Sequence, residues 1–214
     1  MGAWKYMVLI FVATAVGSAI ALRILVRYLY ERQETAGLGV HGDIGRFIKP
    51  QKLLSIRVLS SLAAFAVLFI VGNIVLPQLC HLIPQGGLML LPIYFFTLIA
   101  AYKYGLRVGL LTAVLSPLVN SVLFGMPPAA ALPIIMIKGV LLAIAAAWMA
   151  NRSKGASLLA LIGVVLGYQL VGGLIEWAMT GEIAKALQDW KLGWPGMLLQ
   201  AVGGWAVINY LLRR

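Results

Sequence analysis

Seven long apolar runs, parted by short polar or basic connections, limit what this chain can fold into. They cover residues 6–22, 58–76, 88–102 and 108–124, a fifth run ending near 150, then 158–179 and 194–212. A bilayer's hydrocarbon core is about 30 Å thick and takes roughly 20 apolar residues per helical crossing. Within it, backbone groups must be bonded inside a helix or a closed barrel. The runs are continuous and do not alternate in segments of about 10 residues, so they predict helices and exclude a transmembrane barrel. Composition agrees: 62% of residues are hydrophobic, 11% are charged, and the mean hydropathy is +0.98, far outside the range of soluble domains. The expected fold class is an all-α integral membrane protein.

A formal charge of +11 suggests nucleic acid only until the bases are located. They lie between the apolar runs and form no single aromatic-interleaved patch, so no nucleic-acid partner is expected. Cytoplasmic connections of membrane proteins carry the excess of Lys and Arg. With seven spans, one side receives the bases from Arg23 to Arg57, then Lys103 and Arg107, Arg152 and Lys154, and Arg213 and Arg214. That is thirteen of the seventeen. The other side has Lys5, Lys185 and Lys191, while Lys138 lies inside the fifth run. This orientation puts the C-terminus in the cytoplasm and leaves segments 76–88, 125–133 and 180–195 outside.

The first run continues amphipathically to about Tyr30, and its small residues Ala13, Gly17 and Ala21 form a face for close helix approach. A retained helix is expected, although Lys5, the apolar core and Ala19-Ile20-Ala21 also fit a signal peptide. Residues 31–56 read as a basic cytoplasmic connection. Their glycines, Gly37, Gly39, Gly42 and Gly45, match no phosphate-binding pattern. The resulting division is 1–30, a transmembrane helix; 31–56, the connection; and 57–214, a membrane domain of six spans.

The stretch 73–92 breaks one apolar run from the next and holds the only cysteine, Cys80, beside His81, one of two histidines. It is expected as an outer loop stiffened by Pro77 and Pro84. Three readings of Cys80 compete: a small apolar filler, a member of a metal site, or a partly exposed soft ligand. The second is weak, because structural zinc needs four ligands and no other Cys or His is expected outside.

Polar side chains at membrane depth are costly and face partners or cavities. Lys138 and Glu176 sit about one turn from the outer ends of their runs, placed to pair or to meet a ligand. Asn73 is a further candidate. Asn120, Gln169, Gln200 and Asn209 are expected to bond between helices. Most aromatic residues near the interfaces read as anchors, including Trp4, Trp177, Trp190 and Trp194. Tyr94 and Tyr168 are placed to line a pocket.

Three stretches carry a resemblance: Gly72-Asn-Ile-Val-Leu-Pro-Gln-Leu, Leu91-Pro-Ile-Tyr-Phe-Phe and Tyr104-Gly-Leu-Arg-Val-Gly-Leu-Leu. With Leu115-Ser-Pro-Leu-Val-Asn-Ser-Val-Leu-Phe-Gly125 and the basic turns, the chain from about Arg57 resembles the substrate-binding S-components of energy-coupling-factor vitamin transporters. The resemblance implies a six-helix S-component-like bundle, here preceded by one extra N-terminal transmembrane helix, in a bacterial cytoplasmic (inner) membrane. It implies a vitamin captured near the outer face under loop lids, and an energy-coupling module as partner. The alanine-x-x-x-alanine docking contact is present only loosely, as Ser60-x-x-x-Ala64, which leaves solitary action open. A cobalamin-transporting branch is similar in placing one cysteine in the first outer loop. That likeness implies cobalamin as bound substrate, no intrinsic cofactor, and Cys80 as cobalt ligand able to displace an upper ligand. Cys80, His81, Tyr94, Asn120, Met126, Lys138, Tyr168 and Glu176 are the expected substrate-binding residues. An integral-membrane enzyme acting on a lipid-like substrate and a non-catalytic accessory subunit are the alternatives. The enzyme lacks a clustered catalytic set.

Overall fold

The computed structural model describes Ile24 and residues 50–82, 84–153 and 155–212, and every regular element among them is helical. The expected first span, 6–22, and most of the connection 31–56 lie outside the described residues. Helix α1 (Pro50–His81) is followed by the short α2 (Gly86–Leu90), a 3-10 turn (Pro92–Tyr94) and α3 (Phe95–Tyr104). Next come α4 (Leu106–Phe124), α5 (Leu132–Arg152) and α6 (Leu158–Thr180). Two short helices, α7 (Ile183–Ala186) and α8 (Gln188–Leu192), lead into a final rod. That rod is α9 (Trp194–Leu198) and α10 (Gly204–Ala206), with π-helical turns at Leu199–Gly203 and Val207–Leu211.

Four segments are long and apolar enough to cross a membrane: Gly86–Tyr104, Leu106–Phe124, Ala129–Arg152 and Leu158–Thr180. The chain thus has the make-up of a multi-pass membrane protein. Its elements differ from the expected runs at both ends of the core. Helix α1 starts at Pro50, inside the expected connection, and reaches His81 beyond the expected stop at Leu76. The expected last span is a succession of short α and π turns.

The physical reason for the longer α1 lies at Pro77. A proline inside a helix removes the hydrogen bond to the carbonyl four residues back, here Asn73. In hydrocarbon that orphan needs another donor. Asn120 of α4 supplies it, donating from Nδ2 to the Asn73 carbonyl at 2.9 Å. The helix therefore continues, and Cys80 and His81 are helical residues and not loop residues.

Asn73 is itself the hub of a neutral knot. Its Nδ2 donates to Thr97 Oγ1 at 3.0 Å and to Ser116 Oγ at 3.2 Å. Its Oδ1 accepts the Phe96 N–H at 3.3 Å, satisfying a backbone donor in the first turn of α3. Helix α3 is apolar all round, as a helix at the centre of a bundle should be: residues from Phe95 to Ala101 are all buried. The Gly86–Tyr104 span is 72% buried, against 28–39% for the other three, whose outer faces remain available to lipid. Close crossings depend on small residues. A Cβ on Gly109 of α4 would lie 2.5 Å from the Ala101 Cβ of α3, and Gly105, at φ 91°, makes the turn between those helices.

Candidate functional site

At one end of the bundle a cleft of about 520 Å³ opens between the C-terminal turn of α1, α2, the 126–128 loop and the start of α5. Among its walls are Pro77, His81, Gln85, Asn120, Met126 and Ile135. The volume falls in the range of small-molecule sites. The segment entering α2 turns sharply, with Gln85 at φ 60°, a left-handed conformation unusual for a residue with a side chain. The α2 backbone then rests on the imidazole of His81: a Cβ on Gly87 would lie 2.6 Å from its Nε2. Asn120 reaches the wall with its amide engaged on both sides, since Oδ1 accepts from Gln78 Nε2 at 3.2 Å and Nδ2 donates to the Asn73 and Ser116 carbonyls. The groups left to meet an occupant are His81, Gln85 and Met126.

Cys80 is absent from this lining. It is 3% exposed and packed within the apolar core, which corrects the expectation of a partly exposed thiolate in a loop. The longer helix is the cause: held in α1 by the Asn120 bond, Cys80 turns inward while Pro77 and His81 face the cleft.

A second polar group sits at the same end. Lys138 of α5 donates from Nζ to Glu176 Oε2 of α6 at 2.6 Å and to Asp189 Oδ2 of α8 at 2.8 Å. The lysine side chain is 4% exposed and the carboxylates 15% and 16%. Its stem crosses α6 at Gly172, where a Cβ would meet Lys138 Cγ at 2.6 Å. The adjacent Gly173 faces the Ala186 carbonyl of α7. The glycine pair thus lets both the lysine and the α7–α8 segment approach. One cation faces two carboxylates, so the group carries a formal net charge of −1.

Tyr94 and Tyr168 join neither set. They are buried, and their rings pack at a tilt of 55° with centroids 5.5 Å apart. Tyr168 donates to Gln200 Oε1 at 2.9 Å and accepts from Gln169 Nε2 at 3.1 Å, while Gln200 Nε2 donates to the Leu91 carbonyl at 3.3 Å. Leu91 itself is left-handed, at φ 46°, and the buried amide holds it there. Gln169 Oε1 is buried with no partner, and Gln169 bonds to its own neighbour and not between helices.

The eight expected site residues therefore fall into four places. His81, Asn120 and Met126 share the cleft, Lys138 and Glu176 share the ion cluster, and Tyr94 and Tyr168 share the buried relay. Cys80 belongs to the core. Sequence reasoning missed Asp189 and Gln85. Asp189 had a signal, being one of few acidic residues in a basic chain and close to membrane depth, where Lys138 needs countercharge. Among the described residues no group of three His, Cys, Asp or Glu side chains is arranged to hold a metal ion. Comparison with family models, curated proteins and solved structures returns no match.

Proposed function

We propose that this chain is a membrane transport subunit that captures a small molecule of the vitamin class from the outer side. The cleft beside His81 carries the proposal. It lies at the end where connections are long and proline-rich, opposite Lys103, Arg107 and Arg152, and three separate segments wall it in. The reading includes a six-helix S-component-like bundle with an extra N-terminal helix in the bacterial inner membrane, its C-terminus cytoplasmic. The chain has no Walker motif, so any ATP-driven step belongs to a partner energy-coupling module.

Cobalamin is the specific substrate proposed. A corrin exceeds the present cleft, so its entry requires α2 to lift from His81. Cobalt ligation requires Cys80 to leave the core in the same movement. Mass spectrometry of gently purified protein should find one bound vitamin, and Ile135→Trp, which narrows the cleft from the α5 wall, should weaken its binding at least tenfold. A wild-type cobalamin spectrum unchanged by Cys80→Ala would remove the sulfur ligand and leave capture standing. A bound lipid product, or no small molecule in any preparation, would overturn the transport reading.

A further inference from the structure

Helix α2 is a thin wall between the cleft and the segment that follows α6. On one side Gly86, Gly87 and Leu88 line the cleft. On the other, α2 packs against α8 and α9, backbone against backbone: a Cβ on Gly196 of α9 would lie 2.4 Å from the carbonyl carbon and oxygen of Leu90. A Cβ on Gly193, between α8 and α9, would lie 2.8 Å from Leu91 Cδ1. The residues that bracket α2, Gln85 at φ 60° and Leu91 at φ 46°, are left-handed without being glycine. Such conformations persist where the surroundings impose them, and at such points a short element can turn as a unit. With five residues, α2 cannot hold a helix without support. Its place is set by its neighbours, and α8 and α9 stand behind it.

Those supports have five residues each, and Asp189 fastens α8 to the bundle. Its carboxylate accepts from Lys138 Nζ at 2.8 Å. The carbonyl of the same residue accepts the Gly193 N–H at 2.8 Å, which sets the turn from α8 into α9. Beside it, Trp190 approaches α6 where Gly173 leaves room, a Cβ there lying 3.9 Å from the indole Nε1. A continuous set of contacts thus runs from Lys138 through Asp189, Gly193 and Gly196 to Leu90, Leu91 and the cleft wall. Glu176 stands outside that set. It belongs to α6 (Leu158–Thr180), a helix of crossing length that keeps its place without an ion pair.

We propose that Asp189 is a positioning residue for the cleft: its ion pair with Lys138 holds α8 and α9 behind α2, and so holds α2 against His81. What this means for a ligand rests on reading the cleft as the binding site, whereas the linkage between Asp189 and α2 does not. The test is amide hydrogen exchange, read by mass spectrometry on the purified full-length protein in detergent with no ligand added. Asp189→Ala should speed exchange across α2 about tenfold, the low end of what a hydrogen bond to a charged group contributes. Glu176→Ala takes an acceptor from the same lysine but leaves Asp189 paired, and should leave α2 unchanged. Asp189→Glu, which restores the carboxylate, should bring exchange most of the way back. Modification of His81 by diethyl pyrocarbonate should rise with α2 exchange in each variant, because Gly87 covers its Nε2. The wild-type protein supplies a test that needs no substitution: α2 cannot stay closed once α8 has left, so its amides should be protected no better than those of α8. Better protection of α2 than of α8, equal acceleration in Asp189→Ala and Glu176→Ala, or unchanged α2 exchange in Asp189→Ala would each overturn the proposal. A cleft found empty in every preparation would remove the capture reading and leave these exchange results to decide the linkage by themselves.

Discussion

Two polar assemblies are buried in this bundle, and they are built on opposite terms. Around Asn73 everything is neutral, and each donor of the central amide has an acceptor on a neighbouring helix. Around Lys138 everything is charged, the count of signs is uneven, and one of the three members is carried by the short helix α8. The first ties α1, α3 and α4 together around a fully buried Asn73, with Asn120 linking it to the cleft wall. The second ties a connecting segment to α5 and α6 at the end that holds the cleft. In a membrane interior a neutral, satisfied knot fixes one arrangement, whereas a charged cluster with an excess carboxylate ties its stability to which segments are docked. The contrast separates a join between long helices from one that depends on the docking of α8.

The largest expected effect tests the charged side. Lys138→Met removes the single cation and leaves Glu176 and Asp189 facing each other, mostly shielded from water. Breaking a buried ion pair by deleting one partner costs about 3–5 kcal/mol, and the stranded charges here are two. Denaturant unfolding in mixed micelles should register a loss of that size. Adding Glu176→Gln and Asp189→Asn to Lys138→Met should recover most of it, because a neutral cluster has no stranded charge. A triple variant as unstable as the single one would mean that packing of the lysine stem on Gly172, and not charge, is what the cluster supplies.

The same contrast explains what could be read in the sequence. Helices α4, α5 and α6 were legible because apolar runs of crossing length leave a helix no alternative in lipid. Gly125 and Gly181, both left-handed at φ 68° and 70°, end two of them where expected. The Lys138–Glu176 pair was legible because ionisable groups at depth require partners. The end of α1 was not, since Pro77 reads locally as a stop. Its rescue comes from Asn120, 47 residues away in sequence. The placing of Cys80 in a loop followed from that one bond, and of its three readings the small apolar filler is the one its burial matches. Asp189 was hidden for a related reason: α8 sits in a connection, and no periodicity announces that a connection folds back onto the bundle.

Asn73→Leu, the next effect in size, probes the neutral knot. The change keeps similar volume but removes two donated bonds and the acceptor for the Phe96 N–H. Bonds between membrane helices average about 0.6 kcal/mol each, and a stranded buried donor adds about 1–3 kcal/mol. A total loss near 2–3 kcal/mol is expected, with substrate affinity unchanged if the knot only holds shape. Altered affinity without lost stability would place Asn73 in the working part of the molecule and dissolve the contrast.

The smallest effect concerns the buried network of Tyr168, Gln169 and Gln200. Tyr168→Phe deletes one hydroxyl that both donates to Gln200 and accepts from Gln169, so two bonds go and the buried Gln200 Oε1 and Gln169 Nε2 lose that partner, a loss of about 2 kcal/mol. Gln169→Leu removes only the bond into that hydroxyl, and with it the one buried side-chain polar atom without a partner among the described residues. Taking away an unsatisfied acceptor offsets the lost bond. This variant should therefore be near neutral or slightly stabilising in the same unfolding measurement. If Gln169→Leu instead costs more than Tyr168→Phe, its Oε1 has a partner such as an ordered water. The network would then be a satisfied one like the Asn73 knot.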